Sequence, residues 1–362
     1  MKVAGWGAIT AVICLLVPGH AQSQSSEPHP PFPYADEDVE IANSAAPGVT
    51  LAGTLTRPNT GSYFPAVLLI TGAGPQDRDE TTAGHKPFLV LADALTRRGM
   101  AVLRLDDRGT GKSKGKYEGA TTQDFASDMQ AGVEYLRTRS DIEADHIGLL
   151  GHGEGAIIAS MLAAKDPKIA FLVLLAPPAV PGVDVLLEQT AQAEMAGGVP
   201  DDQIEADQAI GAELYKLVME GKGEPELHAA LKKFSKQAPQ AVIQNWDRQI
   251  PRLENPWLRF FLSYNPATAL EHVNCPVLAL YGENDLQVIP QQNAPELEKA
   301  LKHAHNHDVN VLMLPNLNYM FQTSKTGLGW EVGTITETFS PVALQAIETW
   351  LAKHGIARSI VS

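Results

Sequence analysis

Leu149-Leu150-Gly151-His152-Gly153-Glu154-Gly155-Ala156 is the stretch on which the fold turns. The apolar run His146-Ile-Gly-Leu-Leu150 feeds into it, and a segment of helical period, Glu154 to Ala164, leaves it. Three glycines at alternate positions between a buried strand and a helix mark a tight strand-to-helix turn, where the two backbones approach closely. A continuous apolar run before such a turn predicts a strand buried on both faces, as in a parallel sheet.

The same rhythm extends outward in both directions. Upstream, Val39–Ile41 and Thr50–Leu55 read as a strand pair around the turn Ala46-Pro47-Gly48. Ala66-Val-Leu-Leu-Ile70 is the next buried strand, followed by Thr71-Gly-Ala-Gly-Pro75. A helix over Pro87–Arg98 leads to the strand Ala101–Leu105, and a helix over Thr122–Thr138 leads to the strand at 146–150. Downstream, Ala170–Leu175 is a further strand. Strands alternating with helices of this length predict right-handed βαβ units and a mostly parallel sheet flanked by helices.

The alternation stops between Pro177 and Pro266, where only helical periodicity is visible: Val185–Ala196, Asp202–Glu220, Pro225–Ser235 and from Ala241 onward. The expectation is a helical cap inserted after the sixth strand. Its aromatics Trp246, Trp257, Phe260, Phe261 and Tyr264 are read as core and as seam with the sheet. The α/β pattern resumes with the strand Pro276–Tyr281, a helix over Pro295–Ala304, the strand Val309–Leu314 and a last helix over Pro341–Lys353. The domain plan is a core of residues 35–177 and 267–356 with the cap at 178–266.

Residues 1–21 read as a signal peptide. Lys2 supplies the charge, Trp6–Val17 the short apolar stretch, and Pro18-Gly-His-Ala21 the cleavage region. The apolar stretch is too short for a membrane span of about 20 residues. A secreted or periplasmic protein is expected, with residues 22–34 as a disordered, proline-rich tether. Of two cysteines, Cys14 lies in that signal and Cys275 remains, so no internal disulfide is available to the processed chain. The formal charge of −14 and the lack of a basic stripe exclude a nucleic-acid binder, which needs clustered Lys and Arg.

The glycine turn has the setting of the nucleophile elbow G-x-S-x-G. Thr71-Gly-Ala-Gly74 follows an earlier strand, where an oxyanion-hole N–H belongs, and Asp285 follows a late strand, where a triad acid belongs. Together with Gly72-Ala-Gly-Pro-Gln-Asp-Arg-Asp79, Asp106-Asp-Arg-Gly-Thr-Gly111, Tyr281-Gly-Glu-Asn-Asp285 and Pro315-Asn-Leu-Asn-Tyr-Met-Phe321, these motifs resemble the α/β-hydrolase family of bacterial carboxylesterases related to serine aminopeptidases (S33), the EstD-like group. The resemblance runs from about residue 36 to 355 and is weakest in the cap. It implies an α/β-hydrolase fold and a small acyl or ester ligand under the cap, with no cofactor and no metal.

Two positions depart from the family. Its elbow serine corresponds to Gly153 and its catalytic histidine to Tyr319; of the triad only Asp285 matches. Glycine has no side chain with which to attack a carbonyl, and a phenol with a pKa near 10 is a poor base at neutral pH. Serine-dependent hydrolysis is therefore expected to be absent or very low. The backbone N–H groups of Ala73 and Glu154 would still form the oxyanion hole that the resemblance implies. Two alternatives stand beside this: a cofactor-free lyase or isomerase using that hole and Tyr319, and a non-catalytic ligand- or partner-binding protein. In the first alternative Asp285 would position the Tyr319 hydroxyl, and in the second it would satisfy it. Gly153 is expected to relax the elbow. His152 reads as a buried structural residue, Glu154 as a helix-start carboxylate, and His303, His305 and His307 as solvated loop histidines. Cys275 reads as core. Arg78 and Arg108, with Asp79 and Asp107, are placed in the loops over the strand ends.

Overall fold

A computed structural model describes residues 27–357; the signal-peptide expectation for residues 1–21 lies outside them. The chain forms one eight-stranded sheet in the order β1-β2-β4-β3-β5-β6-β7-β8. In chain order the strands are β1 (Tyr34–Ala42), β2 (Thr50–Pro58), β3 (Phe64–Ile70), β4 (Ala101–Leu105), β5 (Ile142–His152), β6 (Leu172–Leu175), β7 (Val277–Gly282) and β8 (Val309–Leu314). β1 pairs antiparallel with β2, and β2 with β4; every pairing from β4 through β3 to β8 is parallel. This is the mostly parallel sheet expected from the alternation, in the α/β-hydrolase architecture that the resemblance implies.

The central strands are buried on both faces. Val67–Ile70, Leu149, Leu150 and Leu172–Leu175 are each at most 1% exposed, the reason their sequence runs apolar rather than alternating. Helices α1 (Pro87–Arg97), α2 (Thr122–Thr138), α3 (Glu154–Lys165), α10 (Pro290–His303) and α11 (Pro341–Lys353) belong to the βαβ rhythm. α2 starts in a capping box: the Thr121 hydroxyl accepts from the Asp124 N–H while Asp124 accepts from the Thr121 N–H. α10 begins five residues before the start read from sequence, because Pro290 rather than Pro295 takes the first helical turn; Pro295 is inside the helix.

Between β6 and β7 lie α4 (Gly182–Ala196), α5 (Asp201–Met219), α6 (Glu224–Phe234), α7 (Gln240–Leu253), α8 (Pro256–Ser263) and the single turn α9 (Ala267–Leu270), with no strand. Trp246 is central to this insertion, donating its indole N–H to Asp207 at 2.9 Å and meeting Tyr215 edge-on at 5.7 Å. The stretch read as a tether up to residue 34 is in contact with the fold from Glu27 on. Glu27 accepts from the Lys86 N–H and the Thr338 hydroxyl, and Tyr34 is already the buried first residue of β1.

Candidate active site

The strand-to-helix turn forms as its glycines require. Gly153 sits at φ +53°, ψ −112°, a conformation side-chain-bearing residues avoid, and its N–H donates to Leu175 O on β6 at 2.9 Å. A Cβ on Gly151 would lie 2.1 Å from Gly155 O, and one on Gly155 the same distance from Ile70 O. The turn keeps a left-handed φ at residue 153, which glycine adopts without the strain a side chain would bring.

Tyr319 meets the elbow directly. Its Oη lies 2.0 Å from where a Cβ on Gly153 would stand and 3.1 Å from the corresponding point on Gly72. A real Cβ cannot stand that close to an oxygen, so the phenol occupies the space from which an elbow side chain would grow. Residues 153 and 319, 166 positions apart, thus constrain each other sterically. The Tyr319 ring packs on the His152 imidazole at 4.2 Å between centroids.

Asp285 lies 1% exposed at the end of β7. Its Oδ1 accepts from the Gln287 and Val288 N–H groups at 2.7 and 2.9 Å, while Oδ2 has no hydrogen-bond partner. Tyr319 therefore does not hydrogen-bond Oδ2, the link that both sequence alternatives needed; its Oη stands against Gly153. Burial raises the Asp285 carboxyl to about 7, with the two backbone N–H groups and the nearby His152 pulling it back.

Sequence reasoning missed Glu80, which ties the walls of the site together. It lies one residue beyond the Gly72–Asp79 motif, 2% exposed, at φ +54°. Its Oε1 accepts from the Gly72 N–H at 2.7 Å and is 2.9 Å from His152 Nδ1; His152 Nε2 is 3.0 Å from Tyr319 O. The signal available was an acid immediately after the glycine-rich loop, but contact with His152, 72 residues away, is a product of the sheet.

Glu154, the first residue of α3, is also buried. Its Oε1 accepts from the Thr122 hydroxyl at 2.6 Å and from the Trp257 indole N–H at 2.7 Å, so the carboxylate joins the elbow to α8 of the insertion instead of only capping its helix. Burial raises its pKa, partly offset by those two donors. A cavity of about 10 Å³, room for one water, lies between Thr71, Gly72, Asp107, Tyr117 and Glu154.

The remaining charged candidates are engaged in hydrogen bonds and ion pairs. Arg78 binds Asp106 through two nitrogens and donates to Thr54; Arg108 binds Asp128; Arg104 binds Asp79; and Asp107 accepts from the Thr71 hydroxyl and the Gln76 N–H. His303, His305 and His307 are exposed, and among the described residues no group of metal-ligating side chains is placed to hold an ion. Burial pushes the Cys275 thiol up to about 12, which leaves it protonated and unreactive. Ser160 donates to Ala156 O within α3, and Ser127 accepts from Asn43, so neither supplies a hydroxyl to the elbow. Among the described residues no helix is long and apolar enough to cross a membrane.

The family model of the X-Pro dipeptidyl-peptidases (S15 family) matches residues 47–315, well over half of the chain. Esterase EstD of Thermotoga maritima is 25% identical over 290 residues, 80% of this chain and 61% of its own length. A putative hydrolase of Bacillus subtilis, YtaP, is 30% identical over 121 residues, covering 29% of this chain and 40% of that protein. The chain thus spans less than two thirds of either curated relative. Among solved structures, the Pyrococcus furiosus esterase Pf2001 superposes with a TM-score of 0.52 at 18% identity, covering 88% of this chain and 90% of that one. The α/β-hydrolase GrgF from Penicillium sp. sh18 gives 0.55 at 16% identity, covering 88% and 99%. These two establish the fold alone.

Proposed function

Given that the chain belongs to the X-Pro dipeptidyl-peptidase (S15) family and is an EstD-like α/β-hydrolase, we propose that it has lost serine-type hydrolysis and that Gly153, Tyr319 and Asp285 are its triad positions. The observation that carries this is the 2.0 Å between Tyr319 Oη and the point where a residue-153 Cβ would stand. No side-chain nucleophile fits there while Tyr319 is in place, and no histidine base replaces it. Removing nucleophile and base typically costs several orders of magnitude in rate.

Short-chain aryl esters test this with wild type, Gly153→Ser, Tyr319→His and the double variant. Wild type and both single variants are expected to be inactive; Gly153→Ser fails because the new side chain meets the phenol. The double variant restores the nucleophile, the base and the room for both, so ester turnover is expected only there. Wild-type turnover accompanied by covalent labelling with a fluorophosphonate would overturn the proposal.

A second reading has one observation in its favour. Tyr319 Oη lies 3.1 Å from the point where a Cβ on Gly72 would stand and 2.0 Å from that on Gly153, so it faces the backbone next to both Ala73 and Glu154. That leaves an oxyanion hole with a neighbouring phenol, suited to holding a carbonyl oxygen of a small acyl-like ligand under the helical insertion. Such a site would serve either binding or a non-hydrolytic, cofactor-free lyase or isomerase step. In the catalytic case Tyr319→Phe abolishes any turnover found. We place the protein outside the cytoplasm through residues 1–21; N-terminal sequencing of the exported protein should begin near Gln22.

A further inference from the structure

His152 stands between two acceptors. Nδ1 faces the Glu80 carboxylate at 2.9 Å, and Nε2 faces the Tyr319 carbonyl at 3.0 Å. A neutral imidazole carries one N–H and could satisfy only one of them, setting its remaining lone pair against the other. Glu80 Oε1 also accepts the Gly72 N–H at 2.7 Å, so the oxygen that faces Nδ1 is an acceptor. Both nitrogens are therefore donors.

We propose that His152 is a buried imidazolium held by Glu80, and that this pair is the positioning centre of the site, fixing residue 319 over the elbow until the proton is lost. Three segments meet in the pair: the loop after β3 through Gly72 and Glu80, the end of β5 through His152, and the loop after β8 through the Tyr319 carbonyl and ring. Glu80 adopts φ +54°, a left-handed conformation that costs a non-glycine residue energy and is retained here with its carboxylate in place.

The charges facing His152 come from two loops. Glu80 contributes the carboxylate in contact and Asp285 a second one nearby; the Tyr319 and Phe321 rings cover the rest, at 4.2 and 6.2 Å. Burial alone would lower the histidine pKa, but Glu80, the Tyr319 carbonyl and Asp285 outweigh it, and the net shift is upward. Loss of the proton at rising pH puts a lone pair against an acceptor. The weaker of the two contacts, the one to the neutral Tyr319 carbonyl, is the one that breaks. Release of residue 319 then moves the phenol away from the elbow.

This rests on the reading that Tyr319 closes the elbow, which ester turnover tests separately. Here the experiment is nitrogen-15 NMR of histidine-labelled protein, with hydrogen–deuterium exchange of residues 315–323 corrected for intrinsic pH dependence. At pH 7 both His152 nitrogens should be protonated, and segment protection should fall at the same pH at which His152 titrates. Glu80→Gln should lower both midpoints together by at least one pH unit; Glu80→Asp, which keeps the charge, should move them less and serves if Glu80→Gln does not fold. A purely structural contact would lower protection at all pH values alike. A singly protonated His152 at pH 7, or midpoints that move independently, would overturn the proposal.

Discussion

At the scale of single residues, buried carboxylates dominate the site. Asp285 is one of them, and its Oδ2 is buried without a hydrogen-bond partner. The folded state holds its proton to about pH 7, whereas the unfolded chain releases it near the ordinary 3.8. A folded pKa raised above the unfolded one means stability is lost as pH rises from about 4 to 7, and the full penalty applies above that. The ceiling is about 4 kcal/mol at 1.36 kcal/mol per pH unit. Asp285→Asn should therefore gain on wild type between pH 5 and pH 8 in denaturant titrations; a constant difference across that range would contradict the cause given.

At the scale of elements, the insertion is joined to the sheet domain by a few polar contacts. Trp257 on α8 reaches Glu154 at the elbow, and Gln189 on α4 reaches Gln287 beside Asp285. Trp257→Phe keeps the ring stacked on Phe261 at 5.1 Å but removes the donor from a buried carboxylate. A cost of about 1–3 kcal/mol is expected, measured as a shift of the unfolding midpoint. Inside the insertion, burial raises Asp207 to about 6 and burial with Asp207 raises Glu194 to about 7; the only partner of Asp207 is the Trp246 indole among the described residues. Both carboxyls are more easily held neutral in the fold than in the unfolded chain, so α4–α5 packing weakens as pH rises through 6–7. Asp207→Asn should flatten that loss, read as protease sensitivity of residues 182–219 between pH 5 and 8.

At the scale of the whole molecule, a formal charge of −14 with 42 acidic side chains makes the compact state self-repelling. Salt screens that repulsion beyond about 10 Å at 0.1 M, so raising sodium chloride from 0.02 to 0.3 M should raise the melting temperature by a few degrees. A fall would show that the ion pairs of Arg78, Arg104 and Arg108 dominate instead. The strands and the position of the insertion were legible in the sequence, because strands buried on both faces must be continuously apolar and helices must not; the strand order came only with the structure. The glycine turn at 151–155 was legible for a similar reason: backbone approaches of 2.1 Å to a would-be Cβ admit only glycine. The start of α10 was misplaced because two prolines offered the same local signal.

The sequence by itself determined the fold and the absence of a hydroxyl at position 153 and of an imidazole at position 319, since residue identity alone decides that chemistry. Only the tertiary structure decided that Gly153 and Tyr319 meet, that Asp285 Oδ2 is left without a hydrogen-bond partner, and that Glu80 joins the site. Those facts depend on distances between residues 72 to 167 positions apart in the chain. Periodicity and motif spacing report which face a side chain takes, whereas the packing of three loops at the sheet's edge determines what it meets there.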